Sequence, residues 1–123
     1  MKLVTLVAFV LTTVLPASDQ STQIDLLSIA EKPMTEIEKV LGKPTHTDQF
    51  RSRDSNCLCN RYYYMKDQVS IVYIDNKADW IQVNSPAQLI NVDKAHVMEF
   101  QNWHTHVLVK LRKTRNDDCC LAE

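Results

Sequence analysis

The sequence predicts an α+β fold, with two short N-terminal helices packed on a three- to four-stranded antiparallel sheet. Three observations predict it. Apolar residues recur at helical spacing in the first part of the chain beyond residue 22. From Cys57 the period changes to two, through runs rich in Tyr, Val and Ile. A single glycine, Gly42, leaves the remaining turns to Asn, Asp and Pro.

The first predicted helix lies in "STQIDLLSIAEKPM", where Ile24, Leu26, Leu27, Ile29 and Ala30 share one face and Pro33 interrupts. The second is "MTEIEKVLGKP". Thr35 is the expected N-cap, and Glu38 three residues later completes a capping box. Ile37, Val40 and Leu41 form the buried stripe of a helix over 36–41. Gly42 stops it and Pro44 forbids its continuation. The polar stretch "THTDQFRSRDSN" reads as a connection or as an edge strand around Phe50.

Strands follow. "CLCNRYYYMK" is the first long one. "QVSIVYI" puts Val69, Ile71 and Tyr73 on one face and Val72 and Ile74 on the other. Asp75, Asn76 and Lys77 form a tight hairpin turn, since Asn and Asp tolerate positive φ. "ADWIQVN" then places Ile81 and Val83 together and Trp80 opposite them. Ser85 before Pro86 marks a helix start, and Asp93 to Phe100 reads as a further short helix. In "WHTHVLVKLRK", Trp103, Thr105, Val107, Val109 and Leu111 alternate with His104, His106, Leu108 and Lys110, as in a half-buried fourth strand.

Composition removes several function classes. Fourteen basic residues against 15 acidic ones give no net charge for nucleic acid. The one basic cluster, "KLRKTR", runs at once into Asp117 and Asp118 and reads as a solvated strand end. With one glycine the chain can write no P-loop, dinucleotide fingerprint or nucleophile elbow. No carboxylate pair stands out for acid–base work.

The first 17 residues have the layout of a secretory signal peptide. Lys2 precedes an apolar run from Leu3 to Leu15, and Pro16-Ala17 offers a small-residue exit. The run falls short of the roughly 20 apolar residues that span a bilayer. The expected products are a signal over 1–17 and one exported domain over 18–123 with a C-terminal tail. It would be periplasmic or secreted, with no transmembrane span after cleavage.

Export bears on the four cysteines, Cys57, Cys59, Cys119 and Cys120. A bridge between adjacent residues joins Cα atoms about 3.8 Å apart, below the usual disulfide range. Cys57 and Cys59 are same-face neighbours on a strand and also a poor pair. Long-range bridges are therefore expected, in either order, each closing a loop worth roughly 4 kcal/mol when formed first. The alternatives are a soft metal site and free redox thiols. The spacings C-x-C and C-C fit neither structural zinc nor a C-x-x-C redox motif. His104 and His106, at i and i+2, could reach one metal, but read better as an exposed strand face.

Alternation sends Tyr62 and Tyr64 to one face of the first long strand and Tyr63 to the other. An aromatic patch of Tyr62, Tyr64 and Trp80, with His104 and His106, is the expected contact surface for a protein partner, because interfaces enrich such residues.

Thr35, Val40, Leu41, Gly42 and Pro44, followed by Tyr64, Val72 and Asn76-Lys77, resemble the BamE/SmpA-like small envelope domains, which share a fold with β-lactamase inhibitor proteins. The likeness covers about residues 22–84. The hairpin glycine and the lipid-attachment cysteine of that pattern are absent. The resemblance implies a non-catalytic, extracytoplasmic protein-binding or envelope-adaptor module, with no cofactor, metal or catalytic residue to carry over. A metal-handling or thiol-dependent protein and a secreted enzyme inhibitor are the alternative expectations.

Overall fold

The computed structural model describes residues 10, 13, 22–53, 56–103 and 105–111. The signal-like segment apart from Val10 and Thr13, together with Asp54, His104, Cys119 and Cys120, lies outside the described residues. No helix among those described is long and apolar enough to cross a membrane.

The described chain is mostly β, which corrects the α+β expectation. Strand β1 (Ile24–Asp25) precedes helix α1 (Leu26–Ile29) and helix α2 (Met34–Leu41). Then come β2 (His46–Arg51), β3 (Leu58–Tyr64), β4 (Val69–Ile74), β5 (Lys77–Val83), a 3₁₀ turn at Pro86–Gln88, β6 (Leu89–Ile90), β7 (Glu99–Asn102) and β8 (Val107–Lys110). Six strands form one antiparallel sheet in the order β2-β3-β4-β5-β8-β7, and β1 pairs in parallel with β6. The sheet is wider than three or four strands because two further segments join its edges, one read in sequence as a connection or an edge strand and one read as a helix. The polar stretch before Cys57 is edge strand β2. The end of the stretch expected to be a helix over Asp93–Phe100 belongs to edge strand β7.

The helices are shorter or begin elsewhere than their sequence signals place them. Asp25 caps α1, its Oδ1 accepting from Leu27 N at 3.0 Å. The same oxygen accepts from Asn91 Nδ2 at 3.0 Å, fastening α1 to the segment after β6. The N-cap of α2 is Pro33, without a side-chain hydrogen bond, so Thr35 falls inside the helix and the expected capping box does not form. Proline at φ −70° already holds the chain for helix entry, and its carbonyl accepts from Glu36 N and Ile37 N at 3.0 and 3.1 Å. Gly42 ends α2 at φ 81° and ψ −175°, a backbone conformation open essentially to glycine alone.

Leu26, Ile29 and Ile37 are fully buried and share one core with Tyr64, Val69, Ile71, Ile81, Val83, Val107 and Val109. Each such aliphatic side chain contributes roughly 1.5–3 kcal/mol relative to exposure. Backbone bonds clamp the helix pair to the sheet: Glu31 N donates to Ala78 O at 2.9 Å and Ala78 N to Lys32 O at 2.8 Å. The hairpin between β4 and β5 turns on Asp75 and Asn76 at φ 51° and 59°, as two-residue hairpins require. The turn after β3 holds Met65, Lys66 and Asp67 consecutively at positive φ. That conformation costs an ordinary L-residue about 1–2 kcal/mol.

Tyr64 and Tyr73 meet within this core, their hydroxyls 2.6 Å apart. Burial pushes both hydroxyls above the ordinary tyrosine value of 10.0. Their mutual hydrogen bond raises Tyr73 further and partly offsets the effect at Tyr64. Below about pH 10 both groups are protonated whether the chain is folded or not. Above it the unfolded chain releases protons that the folded pair retains, so stability falls as pH rises. Unfolding midpoints measured between pH 8 and pH 11 should decline above about pH 10. The Tyr64→Phe/Tyr73→Phe variant should show a shallower decline, and an equally steep one would mean that the pair does not govern it.

Candidate functional site

The sheet's second face, opposite the helices, is built by side chains of the other parity. Cross-strand pairing sets Ser70 beside Gln82, Gln82 beside Leu108, and Leu108 beside Gln101. The neighbouring row runs Val72, Trp80, Lys110 and Glu99. Phe50 pairs with Cys59 at the far edge. Cys59, Val72, Ile74 and Trp80 form a second buried cluster, with Phe50 and Leu108 packed against it. The two central strands are therefore apolar on both faces, as a sheet covered on both sides requires.

Among the described residues, cover over this face is incomplete. A groove of about 430 Å³ crosses it, lined from Phe50 and Arg51 on β2 to Gln101 on β7 and Trp103 beyond. Among the described residues four cations line it, Arg51, Arg53, Arg61 and Lys110, and no Asp or Glu is among the lining side chains. Two of these cations lie over aromatic rings. The Arg61 guanidinium is 4.3 Å from the Phe50 centroid, and Lys110 Nζ is 4.7 Å from the Trp80 centroid. The two rings lie 6.2 Å apart. A cation, two aromatic rings and a second cation thus form a line across the sheet, each contact worth about 0.5–2 kcal/mol depending on its exposure. Lys110 also faces Glu99 Oε2 at 3.7 Å, and Glu99 Oε1 accepts from Gln101 Nε2. The Trp80 indole N–H is buried and has no hydrogen-bond partner among the described residues. A buried donor left in this state costs about 1–3 kcal/mol.

The expected contact residues do not come together. Tyr64 is 0% exposed and Tyr62 packs against the same helix-side core, so neither belongs to an open surface. The cause is hairpin register: Tyr64 pairs with Val69 and Tyr62 with Ile71, both of which point under the helices. Trp80 is 9% exposed and on the opposite face, flooring the groove instead of standing out from it. Of the histidine pair, His104 lies outside the described residues. His106 sits in the connection between β7 and β8, its ring 4.4 Å from Trp103. Sequence reasoning passed over Phe50, Arg61, Gln82 and Gln101. The parity of Arg61, one residue from Tyr62, is the signal that would have placed it on this face.

Neither Cys57 nor Cys59 is a free thiol. Cys59 is 0% exposed in the second cluster, its Sγ 3.8 Å from the Cys57 carbonyl oxygen. Among the described residues no three His, Cys, Asp or Glu side chains converge as metal ligands. The arrangement is suited to recognition: an aromatic floor, neutral amides at Gln82 and Gln101, and cations at the walls. No family model, no curated protein and no solved structure matches the chain.

Trp80→Phe should cost at most about 1.5 kcal/mol in denaturant unfolding, because the N–H it removes has no partner to lose. Trp80→Ala should cost about 3–5 kcal/mol. A Trp80→Phe loss equal to that of the alanine variant would show that the indole N–H is bonded.

Proposed function

We propose that the chain is an exported, non-catalytic protein-binding module that docks its partner on the second face of the six-stranded sheet. The observation that carries this reading is the incomplete cover of that face, where an open groove exposes an aromatic and cationic floor on strands otherwise buried on both sides. Just beyond edge strand β7, Trp103 lines the groove and adds an aromatic side chain exposed at 43%. Aromatic residues with arginine are the chemistry that protein interfaces enrich. The signal-like segment over 1–17 supports export. The short likeness to BamE/SmpA-like envelope domains agrees with an adaptor role. The reading does not depend on it.

A photo-crosslinking residue placed at Gln82, in the groove, should capture one discrete protein in the source cell. The same group at exposed Val40 on α2 should not. An identical adduct set from both positions, or none from Gln82, contradicts docking on this face.

In the same reading, Cys57 and Cys59 pair with Cys119 and Cys120. Strand β8 ends where Leu111 N donates to Asp79 Oδ1 at 3.0 Å, three strands across from β3. Three inter-strand steps of about 4.8 Å make about 14 Å. The residues from 111 to 119 can reach about 26 Å when extended. Digestion without reduction should yield a peptide containing Cys57 and Cys59 joined to one containing Cys119 and Cys120. Thiols that alkylate in the folded, unreduced protein would rule this out.

A further inference from the structure

We infer that the groove selects an acidic segment of its partner, one in which carboxylates flank an apolar side chain. This inference deepens the docking proposal and rests on it. Its ground is the segregation of charge. The whole chain carries a formal charge of −1, yet among the described residues four of the groove's lining side chains are cationic and none is acidic. Among the described residues no carboxylate lies within ion-pair distance of Arg51, Arg53 or Arg61. Glu99 forms an ion pair with Lys110, at 3.7 Å, and also accepts from Gln101 Nε2.

The positions of the cations narrow the ligand further. Arg51 Nη1 donates to Asn56 O at 3.1 Å, which holds that guanidinium without a carboxylate partner among the described residues. Arg61 is held by the Phe50 face, 4.3 Å from its centroid, so both arginines are ordered before a ligand arrives. Guanidinium N–H groups in a fixed plane suit carboxylates. Between the cations the floor is apolar, with Trp80 and Leu108.

A long polyanion would meet the acidic remainder of the chain and would have no use for an aromatic floor. A peptide of alternating acidic and apolar residues matches both walls and floor. Room of about 430 Å³ accommodates a few side chains. The rival occupant is the chain's own Asp117-Asp118.

The test uses the full chain and two fluorescein-labelled peptides, Glu-Glu-Leu-Glu-Glu-Leu and its Gln-for-Glu counterpart, followed by fluorescence anisotropy. The glutamate peptide should bind and the glutamine peptide should not. Binding should weaken several-fold between about 50 and 300 mM salt, as screening of half-exposed charges requires. Arg51→Gln with Arg61→Gln should weaken it about tenfold or more, the effect of losing charge-assisted hydrogen bonds. The peptide comparison and the salt series need no variant, so a misfolded double variant does not spoil the test.

Equal binding of both peptides overturns the acidic preference and leaves the docking reading standing. So does a Gln82 adduct whose crosslinked segment is not rich in Asp and Glu. Failure of both peptides to bind at low salt overturns the inference. Binding that appears only in the Asp117→Asn/Asp118→Asn variant assigns the groove to the chain's own tail and also overturns it. A Gln82 crosslinker that captures nothing removes the docking reading itself.

Discussion

The pairing of β4 with β5 is the constraint on which the rest of the structure depends. Along Val69–Ile74 and Lys77–Val83 nearly every side chain is buried, whichever way it points. Such a pair cannot stand with one face in water, because both parities carry apolar surface worth about 25 cal/mol per Å² on burial. Leu26, Ile29 and Ile37 meet the demand on one side. On the other, Phe50, Cys59 and Leu108 meet part of it, and the chain's longest cationic side chains lie over the aromatic rings. The groove is what remains open.

That asymmetry connects fold to function. The helix side is closed by aliphatic packing and by a tyrosine pair bonded at 2.6 Å. The second side has its polar groups in ordered but incompletely satisfied positions. Arg61 is stacked, Lys110 is shared between Trp80 and Glu99, and the Trp80 N–H is buried without a partner among the described residues. Pre-positioned charges lose little freedom when a ligand arrives, which is how modest grooves gain affinity. Recognition by such a face needs neither a nucleophile nor a metal.

Much of the strand pattern was legible in the sequence. Alternation in "QVSIVYI" and "ADWIQVN" located β4 and β5, and Asp75-Asn76 gave the hairpin between them, since a two-residue turn needs residues tolerant of positive φ. Gly42 marked the end of α2. The balance of the fold was less legible. Edge strand β2 was legible only as one of two alternatives, because it is polar and mostly exposed and carries little hydrophobic period. Edge strand β7 exposes Phe100, which mimicked the apolar stripe of a helix. Thr35 and Glu38 have capping-box spacing, but Pro33 starts the helix earlier. The candidate site failed on parity. Alternation says that Tyr62 and Tyr64 share a face, and only the cross-strand register with Ile71 and Val69 says which face the helices cover.

The central claim is that the helix-covered centre of one face of the sheet is sealed and that the other face carries an open groove. Hydroxyl-radical footprinting of the folded full chain, read residue by residue by mass spectrometry, tests it most directly. Trp103, which lines the groove at 43% exposure, should oxidise quickly, while Tyr64, Ile37 and Ile71 stay unmodified until the protein unfolds. Tyr64 oxidising as fast as Trp103 in the folded protein would contradict the assignment of the two faces, and the groove with it.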